Sequence, residues 1–79
     1  MEAKMEALLK VIAQSLVDSP DEVNVTKREE DDKIILELSV APDEMGKVIG
    51  KQGRIAKAIR TVIKGATVRS DKKVFVDIV

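Results

Sequence analysis

The stretch Val48-Ile49-Gly50-Lys51-Gln52-Gly53 places a cation between two glycines, a combination that suits a phosphate-binding turn. Glycine lacks a Cβ and tolerates positive φ, so Gly50 and Gly53 allow the backbone to come close to a ligand. Lys51 supplies a positive charge, and the N-terminus of the helix predicted to follow favours an anion. These residue types therefore predict a site that binds phosphate groups.

Two other phosphate-binding motifs use similar residues, and neither fits. A Walker A loop has four residues between its glycines and Ser or Thr after its Lys, whereas three residues separate Gly46 from Gly50 and Gln52 follows Lys51. A dinucleotide-binding fingerprint is G-x-G-x-x-G directly after a strand, and here the spacing differs and no strand is predicted before it. The remaining interpretation is a GXXG loop between two helices.

Charge is distributed very unevenly along the chain, although the net charge is zero. Residues 1–44 hold 5 Lys/Arg and 12 Asp/Glu, and residues 45–79 hold 9 and 2, so the two parts carry −7 and +7. Such a basic run is often a solvated helix face, but beside a glycine loop it favours an anion-binding surface. The cations between residues 45 and 64, where no acid occurs, are Lys47, Lys51, Arg54, Lys57, Arg60 and Lys64.

The composition excludes most enzyme chemistry. The chain has 79 residues, of which 44% are hydrophobic and 35% charged, as expected for one globular domain over residues 1–79. It has no Cys and no His, which removes disulfides, thiolate metal sites and the commonest general base. No nucleophile lies beside a base in a recognisable motif, so we expect neither an enzyme nor a metal or cofactor site.

Two further features of the sequence bear on the location and the chemistry of the protein. The chain has no apolar run long enough to span a membrane and no signal-peptide core, so we expect a cytoplasmic protein. The acidic run Glu29-Glu30-Asp31-Asp32 lacks the alternating ligands, central Gly and distal Glu of a calcium loop. We interpret it as a solvated hairpin turn whose like charges discourage edge pairing.

The hydrophobic periodicity predicts three helices and three strands. Helices are expected over about 2–17, 43–49 and 53–64, with Gly65 as the C-terminal stop of the last one. Strands are expected from residue 22, over 33–40 and over 73–79, and a connection over 66–72 contains Arg69. A hairpin followed by a helical crossover gives a mixed three-stranded sheet with the 33–40 strand in the middle. The fold class is α+β, in the order α-β-β-α-α-β, with helices packed on one face of the sheet.

The helix over 53–64 should be strongly amphipathic. Its cations Lys57, Arg60 and Lys64 lie on one side, because successive residues are 100° apart. The opposite arc holds Ile55, Ala56, Ile59, Val62, Ile63 and Ala66.

The glycine loop and the order of elements together resemble KH domains. The residues match a V-I-G-K-x-G signature, and the order α-β-β-α-α-β is that of the type II, bacterial KH fold. The resemblance covers essentially the whole chain, and in detail the chain looks like the small bacterial single-KH-domain RNA-binding proteins of the KhpA group. The chain departs from the common pattern at Ala56, where a larger aliphatic residue is usual, so base preference does not carry over.

This resemblance implies a function and a site. It implies that the GXXG loop clamps the backbone of about four nucleotides of single-stranded RNA or DNA. Independently of the resemblance, we expect the like charges of the acidic run to keep nucleic acid away from that end of the molecule. Because Phe75 is the only aromatic residue, the bases would rest on aliphatic side chains and on backbone of the adjacent strand. The implied RNA-binding residues are Val48, Ile49, Gly50, Lys51, Gln52, Gly53, Arg54 and Lys57.

The resemblance also implies a cellular role and partners. It implies an RNA chaperone or post-transcriptional regulator linked to cell shape and cell-wall homeostasis. The expected partners are single-stranded RNA and either a second copy of the chain or a larger multidomain KH protein, without a membrane or a small-molecule substrate. An apolar patch that includes Met1 and Met5 would favour such assembly. The alternative is a protein-interaction or assembly module in which the GXXG loop is only a structural turn.

Overall fold

The computed structural model describes residues 2–68 and 71–79 of the chain. Arg69, which is predicted to lie in the last connection, and Met1, which is predicted to belong to an apolar patch, lie outside the described residues. The described part contains three α-helices and one three-stranded sheet in the predicted order. The helices are α1 (Glu2–Leu16), α2 (Met45–Ile49) and α3 (Arg54–Ala66), and the strands are β1 (Asn24–Glu29), β2 (Lys33–Ser39) and β3 (Lys73–Ile78).

The sheet has the order β1-β2-β3. β1 pairs with β2 antiparallel, and β3 pairs with β2 parallel, which confirms the predicted mixed sheet with β2 in the middle. A short turn suffices for the antiparallel pair, whereas the parallel pair needs the crossover that α2 and α3 provide. This α+β arrangement is the predicted fold class.

The core lies between the sheet and the three helices. Ile34, Leu36 and Leu38 of β2 are almost fully buried on the helical side, as the alternation of apolar residues predicts. The next residue of the same alternation, Val40, is also buried just after the strand ends. The helices and β3 complete this core with Leu9, Ala13, Val48, Ile59, Ile63 and Val76.

Two predicted boundaries are wrong. The first strand begins at Asn24, because Pro20–Glu22 form a 3-10 turn. The helix α3 continues through Gly65 to Ala66, so Gly65 is not its stop. It ends at Ala66, because the backbone of the next residue, Thr67, leaves the helical conformation at φ −113° and ψ 18°. The N–H and hydroxyl of Thr67 still bond to the carbonyl of Ile63. No positive φ is involved, and Gly65 has none.

The apolar arc of α3 is only partly buried. Ile59 and Ile63 lie in the core, whereas Val62 is 49% exposed and Ala66 is also exposed. The arc is wider than the stripe that packs on the sheet, because Val62 lies about 60° from Ile59 around the helix axis at 100° per residue. The edge of the arc therefore faces solvent.

Candidate nucleic-acid interface

The segment before the glycine loop is anchored by a buried carboxylate. Glu44 is 5% exposed, and its Oε2 accepts hydrogen bonds from the backbone N–H groups of Asp18, at 2.9 Å, and Ser19, at 3.4 Å. A buried charge needs such partners, since a buried carboxylate without them is strongly unfavourable. Because Glu44 directly precedes α2, these bonds fix the start of α2 against the end of α1.

A surface ion pair reinforces this connection. Lys47 Nζ lies 2.6 Å from Asp18 Oδ2. The hydrogen bond that Lys47 donates lowers the pKa of Asp18, and the same bond raises the pKa of Lys47. Although Lys47 belongs to the basic run, it is paired, so we do not count it among the cations that face a ligand.

The GXXG loop reverses the chain between α2 and α3 through three residues with positive φ. Gly50 has φ 76° and ψ 174°, Gln52 has φ 59° and ψ 25°, and Gly53 has φ 75° and ψ 13°. Gln52 is the only described residue other than glycine with positive φ. Such a backbone is unfavourable for a side chain of this type by roughly 1 to 2 kcal/mol. The loop thus holds a strained conformation at the predicted site.

The two glycines have different roles. A Cβ on Gly50 would collide with the Ile55 side chain and lie 2.9 Å from the Ile55 backbone nitrogen, whereas a Cβ on Gly53 would meet nothing within 4 Å. Gly50 therefore allows α3 to pack closely against the loop. Gly53 supplies the left-handed conformation before α3 and leaves open space above it.

Part of the predicted backbone cradle is used inside the loop. The N–H of Gly50 bonds to the carbonyl of Gly46 at 2.8 Å, and that of Gly53 bonds to the carbonyl of Gly50 at 3.1 Å. The N–H of Arg54 bonds to the carbonyl of Lys51. Since these three donors are occupied, attraction of an anion depends more on side-chain charge than the sequence suggested.

That side-chain charge forms a continuous stripe along α3. Arg54, Lys57, Arg60 and Lys64 are all exposed and fall within an arc of about 120° at 100° per residue. Lys51 of the loop is exposed as well and extends the stripe at the N-terminal end. We refer to Arg54, Lys57, Arg60 and Lys64 as the cationic stripe.

Arg60 connects the cationic stripe to the sheet. Its Nε donates to the carbonyl of Val76 at 3.1 Å. The N–H of Val79 bonds to β2 at Leu38, and main-chain groups alternate sides along a strand, so Val76 directs its N–H and carbonyl away from β2. The outer edge of β3 therefore lies open beside α3, with Arg60 across it.

A groove of about 650 Å³ lies between the C-terminal half of α3 and this edge of β3. We call it the β3 groove. Its cations Arg60, Lys64, Lys72 and Lys73 outnumber its acids Asp71 and Asp77. The sequence predicts only a contribution from backbone of the adjacent strand here, because the approach of α3 to β3 is a long-range contact. The N–H of Val76 and the Arg60 guanidinium are among the polar groups on its walls that could meet a base edge.

The predicted site residues fall into two groups. Ile49 is 38% exposed, and Lys51, Gln52, Arg54 and Lys57 are also exposed. Val48, in contrast, is 0% exposed and belongs to the core. The expected contact between Val48 and bases is therefore wrong, because neighbouring residues lie about 100° apart around a helix and Val48 is the one that faces the core.

The described residues offer little else that could carry chemistry. No group of three or more Asp and Glu side chains among them is arranged to hold a metal ion. Among the helices that the structure describes, none has the length and apolar character needed to cross a membrane.

The α+β fold and the GXXG loop between α2 and α3 define a KH domain of type II. The chain belongs to a particular KH family, since the family described as "KhpA/KhpB, KH domain" matches residues 6–78.

Curated relatives agree with this assignment. A protein of Clostridium acetobutylicum named RNA-binding protein KhpA is 64% identical over 75 residues, which cover 95% of this chain and 100% of the relative. A protein of the same name from Clostridium perfringens is 57% identical over the same shares of both chains. Another from Listeria monocytogenes is 47% identical and covers 95% of this chain and 99% of the relative.

Solved structures of Era share the fold. Era of Aquifex aeolicus bound to GDP.AlF4⁻ matches with a TM-score of 0.69 and 17% identity, over 94% of this chain and 29% of that chain. Era in complex with MgGDPNP and nucleotides 1506–1542 of 16S ribosomal RNA matches with a TM-score of 0.70 and 17% identity, over 94% of this chain and 28% of that chain. The chain thus spans less than a third of Era, and the likeness concerns the fold alone.

Proposed function

We propose that this chain is a single KH domain that binds single-stranded RNA, without catalysis, along a surface from the GXXG loop to the β3 groove. The observation that carries the proposal is the cationic stripe, which joins the loop to the groove along one side of α3. Its regular spacing suits a chain of phosphates. The relatives named RNA-binding protein KhpA support the same class of ligand.

The proposed contacts divide between backbone and bases. Lys51 and Arg54 contact phosphates at the loop, where Gly50, Gln52 and Gly53 allow the ligand to come close to the backbone. Lys57 adds charge one turn along α3. Bases lie over Ile49 and reach the open edge of β3, with Val48 supporting Ile49 from the core.

An NMR titration with an oligoribonucleotide in moderate salt tests this proposal. We expect the amide signals of Gly50 to Arg54 to shift most, followed by those of β3. Signals at the start of β1, on the opposite edge of the sheet, should not move. An unchanged loop at saturating RNA would refute the proposed site.

The salt dependence of binding should be modest. A clamp of about four nucleotides neutralises about three or four phosphates, so log K should fall with log[salt] with a slope of roughly −2 to −3 for a single strand. Fluorescence anisotropy over a range of KCl concentrations measures this slope. A much steeper value would show that more phosphates are bound than the four-nucleotide clamp provides.

At the cellular level, we propose that the chain acts in the cytoplasm as an RNA chaperone or post-transcriptional regulator connected with cell shape and cell-wall homeostasis. These roles rest on the family resemblance. Crosslinking in cells followed by sequencing of the bound RNA would identify the targets. Loss of all crosslinks in a strain carrying a loop variant would link them to the GXXG site.

We further propose that the chain works as a homodimer or together with a larger multidomain KH protein. Val11 and Val62 are 59% and 49% exposed and Phe75 is 47% exposed, so apolar area is available for a partner. Sedimentation of the purified chain should therefore show a species larger than a monomer, or a second KH protein should co-purify. A clean monomer without a companion would contradict this.

The same exposed apolar residues favour one alternative function, that of an assembly module with little RNA binding of its own. The titration above separates the two, since an assembly module would leave the loop signals unchanged while a partner protein shifts those of α3.

A further inference from the structure

The outer edge of β3 presents main-chain groups to the β3 groove at alternate residues. In a parallel pair, the N–H and carbonyl of one residue both face the neighbouring strand, and those of the next residue face away from it. The bond from the Val79 N–H to the carbonyl of Leu38 fixes this alternation. Val74 and Val76, which line the groove, therefore direct both of their main-chain groups outward. An incoming base would meet a donor and an acceptor side by side at each of them.

Arg60 changes this pattern at Val76, because its Nε donates to the Val76 carbonyl at 3.1 Å. A guanidinium is planar and carries N–H donors in a fixed fork, without any acceptor. The bond to the strand therefore restricts the orientation of the terminal nitrogens of Arg60 beside the Val76 N–H. A base amino group that approached this carbonyl would meet a cation whose N–H groups cannot accept a hydrogen bond.

The acids and carbonyls nearby do not restore an acceptor at this point. Successive side chains of a strand alternate between faces, so Asp77 lies on the face of the sheet opposite to Val76, which is buried. Asp71 precedes the strand. The outward carbonyl of Val74 is two residues away, about 6.6 Å along the strand. The wall of the groove at Arg60 is therefore rich in donors and poor in acceptors.

The flanking cations leave Arg60 available for a base. Lys57 and Lys64 lie about one turn before and after it on the cationic stripe, and both are exposed. They can meet the phosphates on either side of one nucleotide, whereas the bond to Val76 turns Arg60 towards β3. Phosphate contacts and a base contact can thus come from the same side of α3.

We propose that Arg60 reads a base beside Val76 and makes the groove prefer guanine to adenine. The proposal rests on the RNA-binding function proposed above and specifies which purine that site accepts. The Hoogsteen edge of guanine presents two adjacent acceptors, O6 and N7, which an arginine fork binds together, whereas adenine has an amino donor in place of O6. Single-stranded RNA leaves this edge open to a protein. Adenine would place its amino group against the Arg60 guanidinium and leave a donor unpaired.

The test measures the affinity of labelled oligouridines of about eight nucleotides, twice the footprint of the clamp, by fluorescence anisotropy. Each strand carries a guanosine, an adenosine or a 7-deazaguanosine at its centre. For the wild-type chain, we expect the guanosine strand to bind about tenfold more tightly than the adenosine strand. The 7-deazaguanosine strand lacks the N7 acceptor but keeps the Watson–Crick edge of guanine, so it should lose most of this advantage.

The variant Arg60→Lys keeps the charge and removes the fork. Its ratio of guanosine to adenosine affinity should fall to about one to two, while its affinity for an all-uridine strand stays within about threefold of wild type. The matched control is Arg54→Lys, the same replacement at the loop end of the cationic stripe. Because Arg54 is assigned to phosphate, this control should weaken the guanosine and adenosine strands by the same factor and keep their ratio.

Three results would each overturn the proposal: equal binding of the guanosine and adenosine strands by the wild-type chain, a full advantage retained by 7-deazaguanosine, or a wild-type ratio in Arg60→Lys. A wild-type chain that binds the all-uridine strand without any base preference would refute this inference alone. A wild-type chain that binds none of the strands would refute the proposed function itself.

Discussion

Replacing Lys51 and Gln52 together by Asp should reduce RNA affinity by at least about 100-fold while leaving the fold intact. At the loop, two carboxylates would face phosphate oxygens, and each lost charge-assisted hydrogen bond costs roughly 1.5 to 3 kcal/mol. The fold should survive because both positions are exposed, where substitutions usually change stability by about 0.5 kcal/mol. Asp also tolerates the left-handed conformation found at Gln52 better than most residues.

Anisotropy with an oligoribonucleotide and thermal unfolding followed by circular dichroism measure the two effects. The charge-matched control is Lys10→Glu with Gln14→Glu on α1, which changes the net charge equally and belongs to no part of the proposed surface. It should alter RNA affinity only slightly. If the loop variant melts normally and binds RNA with wild-type affinity, the GXXG loop is not the clamp.

Gly50→Ala should destabilise the fold by about 3 kcal/mol or more, whereas Gly53→Ala should cost only about 1 kcal/mol. At φ 76° and ψ 174°, Gly50 occupies a region that is essentially restricted to glycine and costs about 1 to 3 kcal/mol for other residues. The added Cβ would also meet the backbone nitrogen of Ile55 at 2.9 Å, which cannot move without shifting α3. At Gly53 only the left-handed conformation opposes a side chain, since nothing lies within 4 Å.

In a domain of this size, 1 kcal/mol shifts the melting temperature by about 4 to 8 °C, so thermal unfolding resolves the two variants. Gly65→Ala is the control, because Gly65 lies inside α3 without positive φ and with no atom within 4 Å of an added Cβ. It should stabilise the fold by about 0.5 to 1 kcal/mol. Equal losses at Gly50 and Gly53 would mean that the loop does not pack against Ile55 as described.

Periodicity was sufficient to predict the architecture because each element buries one clear face. The alternation Ile34, Leu36 and Leu38 predicts β2, and the spacing along α3 predicts its buried stripe. The end of α3 was predicted wrongly because glycine near the end of a helix is ambiguous from sequence. The helix ends where the backbone of Thr67 leaves the helical conformation, at φ −113° and ψ 18°.

The site was predicted less completely than the fold. Local sequence shows the glycines and the cations, but it cannot show that Arg60 reaches the carbonyl of Val76, because α3 and β3 meet only in the tertiary structure. It also cannot decide which of Val48 and Ile49 faces the core, since both are aliphatic neighbours on a short helix. The anchoring role of Glu44 was missed for the same reason, as its partners lie near the end of α1.

The parallel pairing of β2 with β3 has a consequence for how the site comes into being. Lys33 pairs with Lys73 across both intervening helices, so this contact closes a long segment of chain and is expected to form late in folding. During synthesis, the glycine loop and the cationic stripe leave the ribosome before the strand that forms the other wall of the groove. In the proposed mode of binding, a nascent chain therefore carries the charges that attract RNA before it has the surface proposed to hold bases, and we expect selective binding only once β3 joins the sheet.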